Sequence, residues 1–205
     1  LFEAAARHGA YRWAEQRLFE LTGEWSAAAA VPPAARLSLF EASAQHAWHA
    51  QLWAERLPVL ADVDPDELTR PLGPALGPLF DALNGATRAA ANPDLGAIRF
   101  LGGLYRVVLP ALLDSYVRHG RGLRQHADAP SIRALALVVR DEEEELAAGE
   151  AWLAHEIAEG IAEEVDELAA KLGALLSGWP EPDSDLLGGA PPGSVTPTKG
   201  QASGR

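Results

Sequence analysis

Between Pro58 and Asp94 the chain carries Pro58, Pro65, Pro71, Pro74, Pro78 and Pro93, with several glycines among them. Proline lacks a backbone N–H and clashes with the preceding turn, so neither a long helix nor a central strand survives at such spacing. The segment therefore splits the chain into two halves. On both sides of it Ala, Leu, Glu and Arg dominate, apolar residues recur three and four positions apart, and no stretch sustains period-two alternation. The expectation is an all-α fold without strands.

A first helix is predicted from about Phe2 to Trp25, with Tyr11, Leu18 and Trp25 on one stripe, ending before Val31-Pro32-Pro33. A second runs from about Pro33 to Leu57, its proline suited to a helix start. The proline-rich segment holds short helices at Asp66 to Thr69 and Leu79 to Ala90. A third long helix runs from about Leu95 to Arg124. After a turn through Asp128-Ala129-Pro130, Ser131 is the expected N-cap of a fourth. That fourth region reaches about Leu176, with Gly149 and Gly160 as kink sites. The order is short loop, long crossover, short loop, because the middle segment far exceeds what two antiparallel neighbours need. Such connectivity belongs to a four-helix bundle with one crossover between helices two and three. Residues 1–177 are read as this one domain. Residues 178–205, rich in Pro, Gly and Ser, read as a disordered tail, a linker more readily than a docking peptide.

The net charge of −12 is concentrated: twelve of the 29 acidic residues lie from Asp141 to Glu167, where no Lys or Arg occurs, leaving 17 acidic against 17 basic residues elsewhere. Nucleic acid and anionic membrane surfaces need a basic footprint, and the nearest, Arg118, Arg121 and Arg124, is read as complementing a helix C-terminus. Neither partner is expected. Without cysteine there is no disulfide and no thiolate ligand or nucleophile. Apolar runs such as Ala134 to Val139 are far shorter than the roughly 20 residues of a membrane span. Leu1-Phe2-Glu3 has an acid where a signal peptide has its basic flank. A cytoplasmic location is expected. The seam Ile157, Ile161, Val165, Leu168, Leu172 and Leu175 either closes the end of the domain or forms a homodimer through the C-terminal helix.

Several polar residues fall on stripes that should face inward. On helix one the series Tyr11, Glu15, Leu18, Thr22, Trp25 points Glu15 with the apolar residues. A carboxylate there must be paired, protonated or metal-bound, unless it meets an arginine or a half-wet edge. On helix two His46 and His49 are one turn apart and share a face, as two metal ligands or as two satisfied core histidines beside Trp48 and Trp53. On helix four Asp141-Glu142-Glu143-Glu144-Glu145 would ordinarily be a solvated face. Five consecutive residues nevertheless circle the helix at roughly 100° each, so at least one must point inward. The stripe Leu135, Val138, Glu142, Glu145, Gly149, Trp152 nominates Glu142 and Glu145, whose mutual repulsion calls for a cation or a proton. Counting outward from the turns sets Glu15 level with about Ala44, near His46 and His49, and Glu142 level with Asp114. Both sets lie near mid-helix. Tyr105 and Tyr116 are candidates to donate hydrogen bonds near them.

With these residues the chain resembles the ferritin-like superfamily of di-iron and di-manganese carboxylate proteins, over about residues 2–150. In that family each helix pair supplies one lone Glu and one Glu-x-x-His. Glu15 matches the first lone Glu; His46-x-x-His49 stands where the first Glu-x-x-His belongs, with His for Glu; Glu142-x-x-Glu145 stands where the second belongs, with Glu for His. The acid expected from helix three is met by Asp114. The resemblance implies iron or manganese, with zinc as a further candidate, held by Glu15, His46, His49, Asp114, Glu142 and Glu145. It also implies oxidoreductase chemistry with oxygen on a small-molecule substrate or on the metal itself. The competing reading is a non-catalytic helical interaction or dimerisation module that has lost its metal site. No phosphate loop, Gly-x-Ser-x-Gly or lysine-centred site is present to suggest other chemistry.

Overall fold

The computed structural model describes residues 2–59, 63–71, 73–88, 93–157 and 162–177. Most of them are helical, and no strand occurs among the described residues. Helix α1 spans Phe2–Ser26 and α2 Pro33–Ala54; the short α3, Pro65–Leu68, and α4, Leu76–Arg88, follow. Then come α5, Pro93–Gly103, a π-helical turn over Leu104–Val108, and α6, Leu109–Gly122. The chain finishes with α7, Ala129–Ile157, and α8, Ala162–Ser177. The expected tail and the expected kink at Gly160 lie outside the described residues.

Helix α1 lies along α2, and α6 along α7, with α2 also meeting α7. The α1 stripe is buried as its spacing demands, Tyr11 and Leu18 completely and Trp25 nearly so. Thr22 donates its hydroxyl to the Leu18 carbonyl at 2.6 Å, which removes the cost of burying it. Across the α1–α2 contact Ser43 donates to the Phe19 carbonyl at 3.0 Å.

The proline-rich crossover is more than a spacer. Asp64 caps α3 by accepting from the Asp66 N–H at 2.9 Å, and Arg12 of α1 reaches Asp66 at 2.7 Å and the Thr69 hydroxyl at 3.0 Å. Helix α4 buries Leu76, Leu79, Phe80 and Leu83 and packs on α5 and α8. Gly102 and Gly103 make room for α8: a Cβ on Gly102 would stand 2.4 Å from Val165, and one on Gly103 2.5 Å from Leu83 and 2.9 Å from Leu172. Val165, Leu168 and Leu172 are thus buried within the chain itself. Ile161 and the side chain of Ile157 lie outside the described part of that seam.

Several boundaries differ from expectation. Ser131 is not an N-cap: α7 begins at Ala129, the Ile132 N–H bonds the Asp128 carbonyl at 3.0 Å, and the Ser131 hydroxyl is 3.2 Å from His8 Nε2. The third long helix is interrupted by the π turn, in which the Leu109 N–H bonds to Leu104 O, five residues back. Pro110 gives the reason, since it has no N–H and its ring would strike the Arg106 carbonyl in a regular turn. Within Asp94–Gly122 an 18-residue window is apolar enough to cross a membrane by length and composition, but 72% of that window is buried inside the fold.

Helix α7 continues through Gly149. A Cβ there would lie 2.4 to 2.5 Å from the Tyr105 ring, so the glycine lets the π turn press against α7. Gly149→Ala is expected to cost about 1–3 kcal/mol, the range for overpacking a dense contact. Urea titration measures it; a variant as stable as the parent would show that Tyr105 moves aside freely.

Candidate metal centre

Four side chains from three helices converge in the core. Glu15 comes from the middle of α1, His46 and His49 from successive turns of α2, and Glu142 from α7. Each is at most 1% exposed. Their placement follows from helix geometry: the three-residue step puts both imidazoles on the α2 face toward α1 and α7, and the apolar stripes of those helices carry a carboxylate to the same level.

Both histidines turn Nδ1 to the carboxylates. His46 Nδ1 lies 2.9 Å from Glu15 Oε2 and 3.2 Å from Glu142 Oε1. His49 Nδ1 lies 3.5 Å from Glu15 Oε2 and 3.3 Å from Glu142 Oε1. Ligand atoms of all four residues stand within 4.8 Å of one another. With metal–donor bonds of roughly 2.1 Å, neighbouring ligands stand about 3.4 Å apart in a tetrahedron and about 3.0 Å apart in an octahedron. The four nitrogen–oxygen separations, 2.9 to 3.5 Å, lie around these values. A buried group of Glu15, His46, His49 and Glu142 that could hold a metal ion is therefore present, and two imidazoles with two carboxylates suit iron, manganese or zinc.

The opposite edges are also occupied. His46 Nε2 is 3.1 Å from Glu145 Oε2, an ion-pair distance without hydrogen-bond alignment. His49 Nε2 is 3.4 Å from Asp141 Oδ2. Tyr116 donates its hydroxyl to Glu15 Oε1 at 2.7 Å, leaving Oε2 directed at the histidines. An acid hydrogen-bonded to the far nitrogen of a metal-bound imidazole fixes its tautomer and orientation, the place that Asp141 takes behind His49. Glu142 is the exception: both its oxygens are buried and neither has a hydrogen-bond partner. A buried carboxylate without hydrogen bonds is costly unless a cation sits beside it.

The same crowding shifts the titrations. Burial works against the charge on Glu15, but hydrogen bonding to His46 and His49 overcomes it and holds the carboxyl at about 2. Burial likewise opposes a charge on His49, yet Glu142 and Glu15 lift it to about 10, and Glu145 and Glu142 raise His46 well above its ordinary value. Burial pushes Glu145 up, reinforced by Glu142 and Glu15 against the pull of His46. Without metal, protons on the imidazoles supply the positive charge the carboxylates require.

Four of the six sequence-nominated residues come together, and two do not join them as ligands of equal standing. Asp114 is turned outward on α6, its side chain 59% exposed and 3.0 Å from Arg118; Ser115 and Tyr116 face inward instead. Glu145 reaches the site from behind His46. Asp141, not singled out from the sequence, does the same for His49; its three-residue step from the buried Val138 is the signal that points to it. Tyr116 contributes a hydrogen bond, whereas Tyr105 packs on Gly149. Of the other acidic residues in this stretch whose side chains are described, Glu143, Glu144, Glu150, Glu163 and Glu167 are exposed, as is Asp166, which pairs with Arg106.

Beside the centre lies a cavity of about 190 Å³ between α2, α5 with its π turn, and α7. Gln45, Leu101, Tyr105, Glu145 and Trp152 line it. Glu145 is common to both features, with one oxygen toward His46 and the side chain at the cavity wall. No protein-family model, curated protein or solved structure matches the chain.

Proposed function

We propose that the chain is a ferritin-like four-helix bundle that binds one transition-metal ion through Glu15, His46, His49 and Glu142, and acts as an oxidoreductase on a small molecule with oxygen. The observation that carries the metal reading is Glu142, a buried carboxylate with neither oxygen hydrogen-bonded, whose Oε1 stands between two imidazole Nδ1 atoms at 3.2 and 3.3 Å. The bundle reading is supported by the order of short turn, long crossover and short turn, and by ligands near mid-helix.

A single ion fits the donor set better than a pair. Helix α6, which would supply the remaining acid of a dinuclear site, has Asp114 in solvent and offers Tyr116 instead. Glu145 and Asp141 stand behind the imidazoles rather than between them.

An iron or manganese ion so held would supply the redox chemistry with oxygen. The residues of the chain bind, orient and exclude water. Glu15 and Glu142 balance the charge of the ion. Tyr116 keeps Glu15 in one rotamer by bonding its outer oxygen. Asp141, hydrogen-bonded to His49 Nε2, holds that ring with Nδ1 forward, and Glu145 places a carboxylate 3.1 Å behind His46. Tyr11, Leu18 and Trp53, all fully buried, keep the surroundings dry. The neighbouring cavity gives a small substrate a place one residue, Glu145, away from His46.

The test is oxygen uptake by Fe(II)-loaded protein, compared with His49→Ala under the same load. Uptake well above that of the variant is expected. Equal uptake by the two proteins removes the oxidoreductase reading while leaving metal binding to be judged separately.

A further inference from the structure

The outer side of α2 lacks the charge that a solvated helix face ordinarily carries. From Leu37 to Ala54 the only Asp, Glu, Lys or Arg is Glu41. Leu39, Ala42, His46, His49 and Trp53 take the buried side of the helix. On the other side Leu37, Phe40, Ala44, Ala47, Gln51 and Ala54 follow one another at 3-4-3-4-3 spacing, the seam of a helix that pairs with another helix. Leu37 is 61% and Phe40 63% exposed, with Phe19 of α1 and Trp48 nearly half exposed beside them. The two ends of the seam differ. Large side chains, Leu37 and Phe40, stand at one; at the other a surface hollow of about 380 Å³ opens between α2 and α1. Ala47, Ala50, Ala54 and Phe19 give the hollow its apolar surface. Gln16 and Gln51 also line it, as do Arg12 and Glu20, whose charges are already paired with Asp66 and Arg17.

We propose that this face binds a second copy of the chain, the two α2 helices running antiparallel about a twofold axis between Ala44 and Ala47. That register sets Leu37 over Ala54 of the other copy, Phe40 over Gln51 and Ala44 over Ala47, so the large end of each copy fills the hollow of the other. A cavity of about 150 Å³ holds benzene, so the hollow has room for the Phe40 ring with Leu37 beside it. Alanines at the crossing let the helices approach closely. Reciprocity of this kind, in which one residue meets a second and the second meets the first, belongs to an isologous twofold contact. A parallel pair would set Phe40 on Phe40 and leave both hollows empty. The area suffices: the seam is about 26 Å long and, with α1 alongside, the face is about 20 Å wide. On the order of 500 Å² is then covered on each copy, and the total of about 1,000 Å² meets the lower bound of a specific interface. Exposed Glu20, Glu41 and Glu55 disfavour an anionic membrane as the occupant. His46 and His49 project from the opposite side of α2, so the pairing does not rest on the metal reading.

An interface of this size predicts a Kd on the order of 10 µM, which sedimentation equilibrium of the full chain measures over a roughly hundredfold range of concentration around that value. Phe40→Glu, which removes the ring and adds a charge, and Ala47→Trp, which blocks the hollow, should each weaken the dimer by about tenfold or more. Both positions lie on the outer side of α2, so the melting temperature of dilute protein should stay that of the parent. The chain has no cysteine, so the register can be read by cross-linking. Leu37→Cys chain mixed with Ala54→Cys chain should form a disulfide-bridged pair on mild oxidation, and neither should bridge alone. The cross-link decides the matter even where a bulky or charged variant folds poorly. A parent that is monomeric throughout, a dimer that both Phe40→Glu and Ala47→Trp leave intact, no bridge in the mixture, or bridging of Leu37→Cys with itself overturns the proposal.

Discussion

Addition of Fe(II) without oxygen, or of Mn(II) or Zn(II), is expected to raise the melting temperature of the chelator-treated chain by about 10 °C, and Glu142→Gln is expected to abolish that rise. A ligand that binds only the folded state at a thousandfold excess over its Kd stabilises by about 4 kcal/mol. For a chain of this size each kcal/mol corresponds to roughly 2–4 °C. The unfolded chain has no comparable site, because its ligands come from three helices separated by more than a hundred residues of sequence, Glu15 to Glu142. Glutamine keeps the shape of Glu142 while removing its charge and anionic donor strength. Scanning calorimetry of the two proteins with and without metal measures the effect. A parent indifferent to all three metals, or a variant that keeps the full shift, contradicts the assignment.

In metal-free protein, His46→Ala should cost about 3–5 kcal/mol, the range for removing one partner of a buried ion pair. Glu142→Gln should instead change stability by less than about 1 kcal/mol or increase it. The asymmetry follows from the charge around the core. Glu15, Asp141, Glu142 and Glu145 converge on only two imidazoles, with Arg140 reaching Asp141 at 2.9 Å from a largely exposed position. Acid is therefore in excess. Removing an imidazole leaves several buried carboxylates facing one another; removing one carboxylate relieves them. Urea titration in the presence of chelator distinguishes this from a self-sufficient ion network, in which either substitution would be comparably destabilising.

The sequence made much of this site readable because helical spacing is strict. Glu15 is fixed by Tyr11, Leu18 and Trp25 around it, and His46 and His49 by their three-residue step. Glu142 is fixed by an acid run too long to remain on one side of a helix. Asp114 shows where such reasoning goes astray. The plan of the family that the chain resembles asks for an acid on that helix, whereas the apolar series Leu101, Leu104, Val108, Leu112 carries Ser115 inward. The proton and charge partners were also harder to read. Helix α7 faces more than one neighbour, so its buried arc is wider than a single stripe and takes in Asp141 beside Glu142. The π turn depends on Pro110 meeting a carbonyl four residues earlier, a three-dimensional clash that hydropathy does not display. Gly149 reads as a kink site in the sequence; its close contact with the Tyr105 ring is visible only in three dimensions.

The proposed site has one place for an ion, and elemental analysis of chain purified from metal-replete medium tests that most directly. The account predicts about one iron, manganese or zinc ion per chain in the parent and almost none in His49→Ala. No bound metal in the parent, two ions per chain, or the same content in His49→Ala would contradict it.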